Sequence, residues 1–364
     1  SRGLSAGVLI ENGGRGRIDG NTISENATNG CEVAGGAAPL LLRNSVSANG
    51  GSGIKVMQGG LGEVSENTIF GNSVAGVHVC DEGSCPEVGG NHIYDSLGEA
   101  GVLVSNYATG VFKANTIELI ASGSAAAAAA VPPPATEAGG GGAPERTAST
   151  TGFLIHSYAN PEVRDNEVCG ADGGLVTGRG IAVTQHGLGL IDGNNVHGGG
   201  LHCGLYISTA GDPTARCNRL HGCGGHGCEA EDGASGTLLD NVVYENTLAG
   251  VRVSGASSSV MLSKNSIRDG KGAGVQIGPS GGRAELVGNT FSANSRANVH
   301  VTGDGAFATC KSNTVRDGVR EGFLFEDEAG GVLQGNRVSG NAMAGVAVTS
   351  KARPHLLGNE LCDG

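Results

Sequence analysis

Aromatic residues are scarce in this sequence of 364 residues: it has no Trp, and Phe and Tyr make up only 3% of it. A broad globular core needs large side chains to fill it, so their scarcity predicts a narrow core. Long apolar runs are missing as well, which excludes a membrane-spanning helix of ~18 or more apolar residues and a secretory signal peptide. We therefore expect no membrane partner. Because the chain begins at Ser1 without an initiator Met, we also expect a fragment of a longer protein.

Basic residues are also few. The chain has 23 Lys and Arg against 35 Asp and Glu, a formal net charge of −12, and no basic cluster that could follow a phosphate backbone. Nucleic acid is therefore excluded as a partner on electrostatic grounds. Ten Cys are too few for a disulfide scaffold in a chain of this length. Reduced structural thiols predict a cytoplasmic or nuclear protein.

What the sequence does contain is a repeat, in which an Asn is followed two residues later by an apolar residue. Successive Asn of this kind are 23 or 24 residues apart, except for two intervals of 51 and 28 residues. They are Asn21, Asn44, Asn67, Asn91, Asn115, Asn166, Asn194, Asn218, Asn241, Asn265, Asn289, Asn313, Asn336 and Asn359. A Gly followed by alternating apolar residues keeps the same spacing from Gly7 to Gly345, with one Asn in its place.

Each period holds three short segments in which apolar residues alternate with polar or small ones, which is the pattern of β-strands and not of an amphipathic helix. These features predict an all-β fold: a single-stranded right-handed parallel β-helix, or solenoid, of about 14 coils of 23–24 residues with three short strands per coil. We expect one β-helix domain over residues 1–364, with capping elements outside this sequence.

The repeated Gly and Asn suggest how each coil turns. Both residue types tolerate positive φ, so we expect them at the corners between strands, with the Asn amides hydrogen-bonded along the stack. The two long intervals both fall between an Asn and the next Gly, which places the insertions at one corner of the coil. Residues 121–149 are rich in Ala, Pro and Gly and are predicted to form a disordered low-complexity loop at that corner.

Residues 75–79 (Ala-Gly-Val-His-Val), followed by Pro86 and by residues 91–93 (Asn-His-Ile), form a unit that resembles the parallel β-helix repeat family. That family includes bacterial periplasmic copper-associated repeat proteins, mannuronan epimerases, and the substrate-binding repeats of a β-helix F-box ubiquitin-ligase receptor. The near-uniform short coils and reduced Cys are most similar to the F-box type. The resemblance covers the chain apart from the loop, and it implies the fold more strongly than any activity.

Enzymes of the family that this chain resembles bind their substrate along the strand that follows the corner Gly, so its outward residues are the candidate site. The predicted ligand-binding residues are Lys55, His78, Leu103, Leu154, His156, Tyr206, Glu229 and Arg252. The candidate catalytic residues are His156, Glu229, Glu231 and Arg252. Register places Glu229 directly beneath Arg252, and a surface ion pair explains that stacking without catalysis.

One short motif is similar to a catalytic motif of enzymes with this fold. Residues 225–227 (Gly-His-Gly) match a polygalacturonase motif, but the Asp pair and the basic motif that accompany it are missing from this sequence. Inverting hydrolysis needs paired carboxylates around a water molecule. We therefore interpret Gly227 as the repeated Gly of its coil.

Cys169, His197 and His221 each lie three residues after a repeated Asn, which places them in one outward row about 5 Å apart. Thiolate and imidazole groups are ligands for zinc and copper, so these three residues are candidate metal ligands. Their spacing matches no closed Cys/His zinc pattern. The sequence predicts no cofactor.

Taken together, these patterns favour a non-catalytic recognition scaffold that binds protein partners along the solenoid face, such as the substrate-binding part of an F-box-type ubiquitin ligase. Exposed Leu103, Leu154 and Tyr206 would anchor such a partner. The alternative is a carbohydrate-active β-helix, as a polysaccharide lyase, epimerase or hydrolase or as a carbohydrate-binding module, and the protein would then be extracellular. A third interpretation is a structural rod in a larger assembly.

Overall fold

A computed structural model describes residues 5–119, 151–171 and 177–362. Within these ranges the regular secondary structure consists of β-strands alone, most of them three to five residues long. No helix in the same ranges has the length and hydropathy needed to cross a lipid bilayer. The predicted loop over residues 121–149 falls outside the described residues.

The first fourteen strands are β1 Val8–Ile10, β2 Arg17–Asp19, β3 Thr22–Ser24, β4 Cys31–Val33, β5 Leu40–Leu42, β6 Ser45–Ser47, β7 Ile54–Val56, β8 Glu63–Ser65, β9 Thr68–Phe70, β10 Ala75–Cys80, β11 Glu87–Gly89, β12 His92–Tyr94, β13 Ala100–Ser105 and β14 Val111–Lys113. The next fourteen are β15 Thr116–Leu119, β16 Thr151–Ile155, β17 Glu162–Arg164, β18 Glu167–Gly170, β19 Gly178–Val183, β20 Leu190–Asp192, β21 Asn195–His197, β22 Leu201–Ile207, β23 Thr214–Arg216, β24 Arg219–His221, β25 His226–Ala230, β26 Ser235–Leu239, β27 Val242–Tyr244 and β28 Val251–Val253. The last are β29 Ser259–Ser263, β30 Ser266–Arg268, β31 Val275–Ile277, β32 Arg283–Val287, β33 Thr290–Ser292, β34 Val299–Thr302, β35 Phe307–Lys311, β36 Thr314–Arg316, β37 Phe323–Glu326, β38 Gly330–Gln334, β39 Arg337–Ser339, β40 Val346–Val348, β41 Arg353–Leu357 and β42 Glu360–Cys362.

Every third strand pairs in parallel, so the strands form three sheets of 14 strands each. The first sheet runs from β1 to β40, the second from β2 to β41 and the third from β3 to β42. Register follows the sequence repeat: Val79 pairs with Val56 in the coil before and with Val104 in the coil after. The predicted solenoid with three strands per coil is therefore confirmed.

The core is a narrow channel between the three sheets. Residues alternate along each short strand, so Val77 and Val79 of β10 are fully buried while His78 between them points outward. The largest core side chains are phenylalanines, and Phe112 and Phe153 meet edge to face with ring centroids 6.0 Å apart. Each buried aliphatic or aromatic side chain contributes about 1.5–3 kcal/mol, so the stability is distributed over the whole stack.

The repeated Asn form a continuous ladder, as predicted. Asn218 shows the pattern: its Nδ2 donates to Asn241 Oδ1 (3.0 Å) and to the carbonyl oxygen of Ile191 (2.8 Å), and its Oδ1 accepts from the backbone N–H of Asn194 (2.9 Å). The ladder side chains are buried over most of its length. They hydrogen-bond to backbone groups at a corner where β-pairing provides no partner. Buried backbone N–H and C=O groups require such partners.

The prediction that the repeated Gly and Asn take positive φ at the corners is wrong. The left-handed residue is the one before each ladder Asn, such as Arg43 (φ 51°) and Asp240 (φ 53°). The repeated Gly is required by close packing between coils: a Cβ on Gly30 would lie 2.6 Å from the carbonyl oxygen of Gly53 and 2.6 Å from Val46 Cγ1. Sequence spacing alone does not distinguish these two reasons for a Gly.

Candidate functional site

The central residues of the first-sheet strands form one outward-facing column, here called the outer row. Parallel pairing places each member directly beside the next. Its central part contains Lys55, His78, Leu103, Leu154, Ala182, Tyr206, Glu229, Arg252, Gln276 and His300. The row thus changes from basic and polar to apolar and then to charged within a few coils.

The apolar part of the outer row is covered, contrary to the prediction of exposed anchors. Leu103 is 6% exposed and Tyr206 8%, while Leu154 is partly buried. The reason is that the first-sheet strands of these coils start earlier than β7 does. Their extra residues supply Ala100, which packs on Leu103, and Cys203, which packs on Tyr206.

The charged part of the outer row is centred on Glu229, whose side chain is only 4% exposed. Its Oε1 accepts a hydrogen bond from Arg252 Nη1, and its Oε2 lies 3.2 Å from His202 Nε2. A surface ion pair does not describe this contact, because a carboxylate so deeply buried is held by its partners and not by water. We call Tyr206, Glu229, Glu231, Arg252 and His202 the Glu229 cluster.

Tyr206 and Glu231 extend the Glu229 cluster. The Tyr206 hydroxyl donates to Glu231 Oε1 (2.8 Å), and Glu231 Oε2 lies 3.9 Å from Arg252 Nη1. The guanidinium of Arg179 sits over the Tyr206 ring, 3.9 Å from its centroid. Glu229 and Glu231 both face outward because they lie two residues apart on an extended segment.

Burial shifts the proton affinities around the cluster. Burial, together with the neighbouring Glu231, raises the pKa of Tyr206, so the phenol stays protonated as a hydrogen-bond donor. Burial also lowers the pKa of His226, although Glu229 opposes that shift. His226 Nδ1 is buried and has no hydrogen-bond partner among the described residues, and its ring meets His202 edge to face at 6.0 Å. The cluster therefore offers a fixed anion and a phenolic donor, and the neutral imidazole of His226 lies beside it.

His78 and His156 lie on the same sheet but outside the Glu229 cluster. Burial and the positive charges of Lys55 and His156 lower the pKa of His78 to about 4. Burial lowers the pKa of His156, whose Nδ1 lies 2.8 Å from Ser157 Oγ. His156 follows β16, three strand steps from β25, which is about 14 Å from Glu229 along the stack.

Three aromatic rings stack at the corner after the first sheet. Tyr107 and Tyr158 are parallel at 5.1 Å between centroids, and Tyr158 and His186 at 5.0 Å. Both tyrosines are exposed, at 57% and 46%. Tyr107, Tyr158 and His186, here called the aromatic ladder, border the apolar part of the outer row.

The predicted metal ligands lie on the outer face of the third sheet. Cys169 Sγ is 3.5 Å from His197 Nε2, whereas His221 stacks flat on the His197 ring at 5.0 Å between centroids. His221 Nε2 is 3.0 Å from Asn195 Oδ1. The structure adds Glu167, whose Oε1 is 2.5 Å from His197 Nε2. Burial acts to raise the pKa of Glu167, but hydrogen bonds from His197 and Asn195 outweigh it and leave the pKa below its ordinary value.

None of the ten Cys forms a disulfide in the structure. Six of them are buried, and burial raises the pKa of Cys31, Cys223 and Cys310 to about 12. Thiols with such a pKa are unreactive and pack as small apolar groups.

Residues 1–130, 145–262 and 233–361 match a protein family described as the right handed beta helix region. The chain belongs to this right-handed β-helix family. No curated protein sequence matches it. The family describes a fold, and so the match carries no activity by itself.

Solved structures with the same β-helix fold are distant in sequence. A mutant of the periplasmic alginate epimerase AlgG superposes with a TM-score of 0.51 at 14% identity, covering 91% of this chain and 76% of the other. The Vag8 complex with C1 inhibitor contains a chain similar at a TM-score of 0.53 and 16% identity, with 96% of this chain and 89% of that chain covered. These comparisons give no support to the F-box relationship or to a cytoplasmic or nuclear location.

Of the predicted site residues, the structure brings together Tyr206, Glu229, Glu231 and Arg252. Lys55, His78 and His156 lie outside this cluster. Sequence reasoning gave no site role to the residues that complete or adjoin the cluster and form the ladder. They are Tyr107, Tyr158, Arg179, His186 and His202. The ladder did carry a signal, because its three rings each lie six residues after the repeated Gly of their coils.

Proposed function

We propose that this β-helix binds an uncharged oligosaccharide along the outer face of its first sheet, between the aromatic ladder and the Glu229 cluster. The observation that carries the proposal is the buried Glu229 carboxylate, held by Arg252 and His202 beside the Tyr206 ring. A buried charge with fixed partners on an outer face is costly to maintain, and such groups concentrate at binding sites.

The surface between these two features suits a saccharide. Saccharides present hydroxyls that need fixed donors and acceptors, and C–H faces that pack on aromatic rings. The Glu229 cluster supplies carboxylate, guanidinium and phenol groups, and the stacked Tyr107 and Tyr158, which are 57% and 46% exposed, supply aromatic surface at their ring edges. From β13 to β28 the row spans five strand steps, about 24 Å, which accommodates several sugar rings.

Charge favours a neutral saccharide over a polyuronate. Glu229 and Glu231 lie together with Arg252, so the guanidinium is already neutralised by carboxylates of the protein. The chain as a whole carries a formal charge of −12, which repels a polyanion. An alginate-like substrate would have to displace these ion pairs.

The cluster favours binding over catalysis. A general base needs an accessible group with a pKa near the working pH. Tyr206 is held protonated, and Glu229 is engaged by Arg252 and His202. The neutral His226 has an available Nδ1 but is itself buried.

Proteins that share the fold include an alginate epimerase and a protein solved with C1 inhibitor, so the fold permits both saccharide and protein partners. The covered Leu103 and Tyr206 remove the anchors on which a protein partner was predicted. We therefore favour the saccharide, and with it an extracellular or periplasmic location.

A glycan array with the whole chain, followed by calorimetric titration of the best ligand, tests the proposal. We expect Glu229→Gln to weaken binding at least about tenfold, since it removes the charge-assisted hydrogen bond that holds Arg252 in place at the site. Tyr107→Ala, at the more exposed end of the aromatic ladder, should also weaken binding with little loss of thermal stability. Glu326→Gln is the matched control, because Glu326 pairs with His300 on the same sheet beyond the cluster. Absence of any glycan ligand, or equal affinity of Glu229→Gln and the unmodified protein, would overturn the proposal.

A further inference from the structure

The outer face of the third sheet carries three potential metal ligands that no packing requirement explains. Glu167 and Cys169 lie two residues apart on β18 and point to the same side, and His197 pairs with Cys169 in the next coil. One ligand atom from each residue lies within 4.8 Å of the other two. We propose that Glu167, Cys169 and His197 bind a Zn²⁺ ion.

The distances suit tetrahedral coordination. Zinc binds sulfur at about 2.3 Å and nitrogen or oxygen at about 2.0–2.2 Å, so ligand atoms in a tetrahedral site are about 3.3–3.7 Å apart. Cys169 Sγ is 3.5 Å from His197 Nε2 and 3.8 Å from Glu167 Oε1. His197 Nε2 and Glu167 Oε1 are 2.5 Å apart in a hydrogen bond, which the ion would replace by separating the two atoms.

The ligand types select the metal. Thiolate with imidazole and carboxylate is a mixed soft and hard set, which suits Zn²⁺ better than Ca²⁺ or Mg²⁺, the ions of all-oxygen sites. All three residues are half-buried, so a fourth coordination position faces solvent. Zinc sites with three protein ligands and one open position exchange water and bind further ligands.

Neighbouring residues hold the ligands in place before any ion binds. Asn195 Nδ2 donates to both oxygens of Glu167, each at 3.0 Å. His221 stacks on the ring of His197 and Tyr244 stacks on His221, at 5.0 and 4.5 Å between centroids. Outer-shell contacts of this kind orient the ligands and raise affinity.

Arg219, on the strand next to the ligand His197, is directed toward the following coil. Arg219 pairs with Asn195 in the sheet, but its Nη2 donates to the Tyr244 hydroxyl (2.9 Å) in the following coil. The charge that faces an incoming cation is therefore that of Glu167 and the Cys169 thiolate.

Metal titration of the whole chain tests the site. After chelator treatment and with a phosphine reductant present, ZnCl₂ is titrated calorimetrically and CoCl₂ is titrated by absorption. We expect one tight Zn²⁺ site and a thiolate-to-cobalt charge-transfer band. Cys169→Ser should remove that band and weaken zinc binding at least about 100-fold, and Asn195→Ala should weaken it about 10-fold or more.

The controls separate this site from ordinary surface pairs. His92→Gln disrupts a His–Glu pair on the same sheet, 3.0 Å from Glu118, and should leave zinc affinity unchanged. Cys217→Ser removes an exposed thiol at the corner after β23 and should leave the cobalt band intact. A cobalt complex without a thiolate band, or Cys169→Ser binding zinc as tightly as the unmodified protein, would refute the site. Thermal melts without metal check that each variant is folded.

Discussion

The interior of the solenoid and the outer row of its first sheet are built from the same strands but follow different rules. Along the interior, coil after coil supplies a side chain of the same kind, as Val56, Val79 and Val104 do. Along the outer row, Lys55 and His78 give way to Leu103 and then to Glu229 and Arg252. These interior side chains keep the coils in register, and every coil can contribute to this in the same way. The side chains of the outer row differ from coil to coil because packing does not require the same residue type there.

The sharpest way to break the interior is a buried charge. Val253 is fully buried and lies between Ala230 and Ile277 in neighbouring coils. Val253→Asp should lower the free energy of unfolding by more than about 4 kcal/mol, because an unpaired carboxylate would be forced into an apolar channel. Urea denaturation followed by far-ultraviolet circular dichroism measures the loss.

Gln276→Asp provides the matching change on the outer face, one residue before Ile277. Its side chain points outward, so we expect a change within about 0.5 kcal/mol. Equal losses for the two variants would contradict the division between interior and outer row.

An intermediate effect is expected where the outer row itself buries a charge. Arg252→Leu leaves the Glu229 carboxylate, 4% exposed, without its guanidinium and should cost about 3 kcal/mol of unfolding free energy. Arg216→Leu breaks an exposed pair with Asp192, where the arginine side chain is 46% exposed, and should cost less than about 1 kcal/mol. Urea midpoints give both values.

A double variant checks the physical reason. If Arg252→Leu destabilises the protein because the buried Glu229 carboxylate loses its partner, then adding Glu229→Gln should restore part of the lost stability. Additive losses would show that Arg252 acts through packing instead.

The smallest expected effect is a pH dependence. His78 has a pKa of about 4 when folded against about 6.5 when unfolded, so the unfolded chain binds more protons between these values. The stability contributed by the neutral imidazole is complete above about pH 6.5 and falls as the pH falls toward 4.

Urea midpoints at about pH 7.5 and about pH 5 measure this slope. His78→Gln should reduce it. Lys55→Met should reduce it less, since it removes one of the two charges that, after burial, lower the His78 pKa while Asp81 opposes them. An unchanged slope in His78→Gln would show that other groups account for the pH dependence.

Much of the fold was predictable because a solenoid converts sequence spacing directly into spatial neighbours. The pairing of Val79 with Val104, the Asn ladder and the stacking of Glu229 under Arg252 all follow from the period alone. The site was less predictable. Register showed that Cys169 and His197 are adjacent, but not that Glu167 reaches them while His221 turns to Asn195.

The sequence by itself determined which residues share a column and which columns face the core, because alternation along strands and a constant coil length leave little choice. Only the tertiary structure decided exposure and side-chain direction. Leu103 and Tyr206 face outward yet are covered, because their own strands begin earlier and pack residues such as Ala100 and Cys203 against them. The burial of Glu229 has a similar cause, since Arg252 and His202 close over it from separate coils. Such contacts depend on the rotamers of several chain-distant side chains at once, which a one-dimensional repeat does not encode.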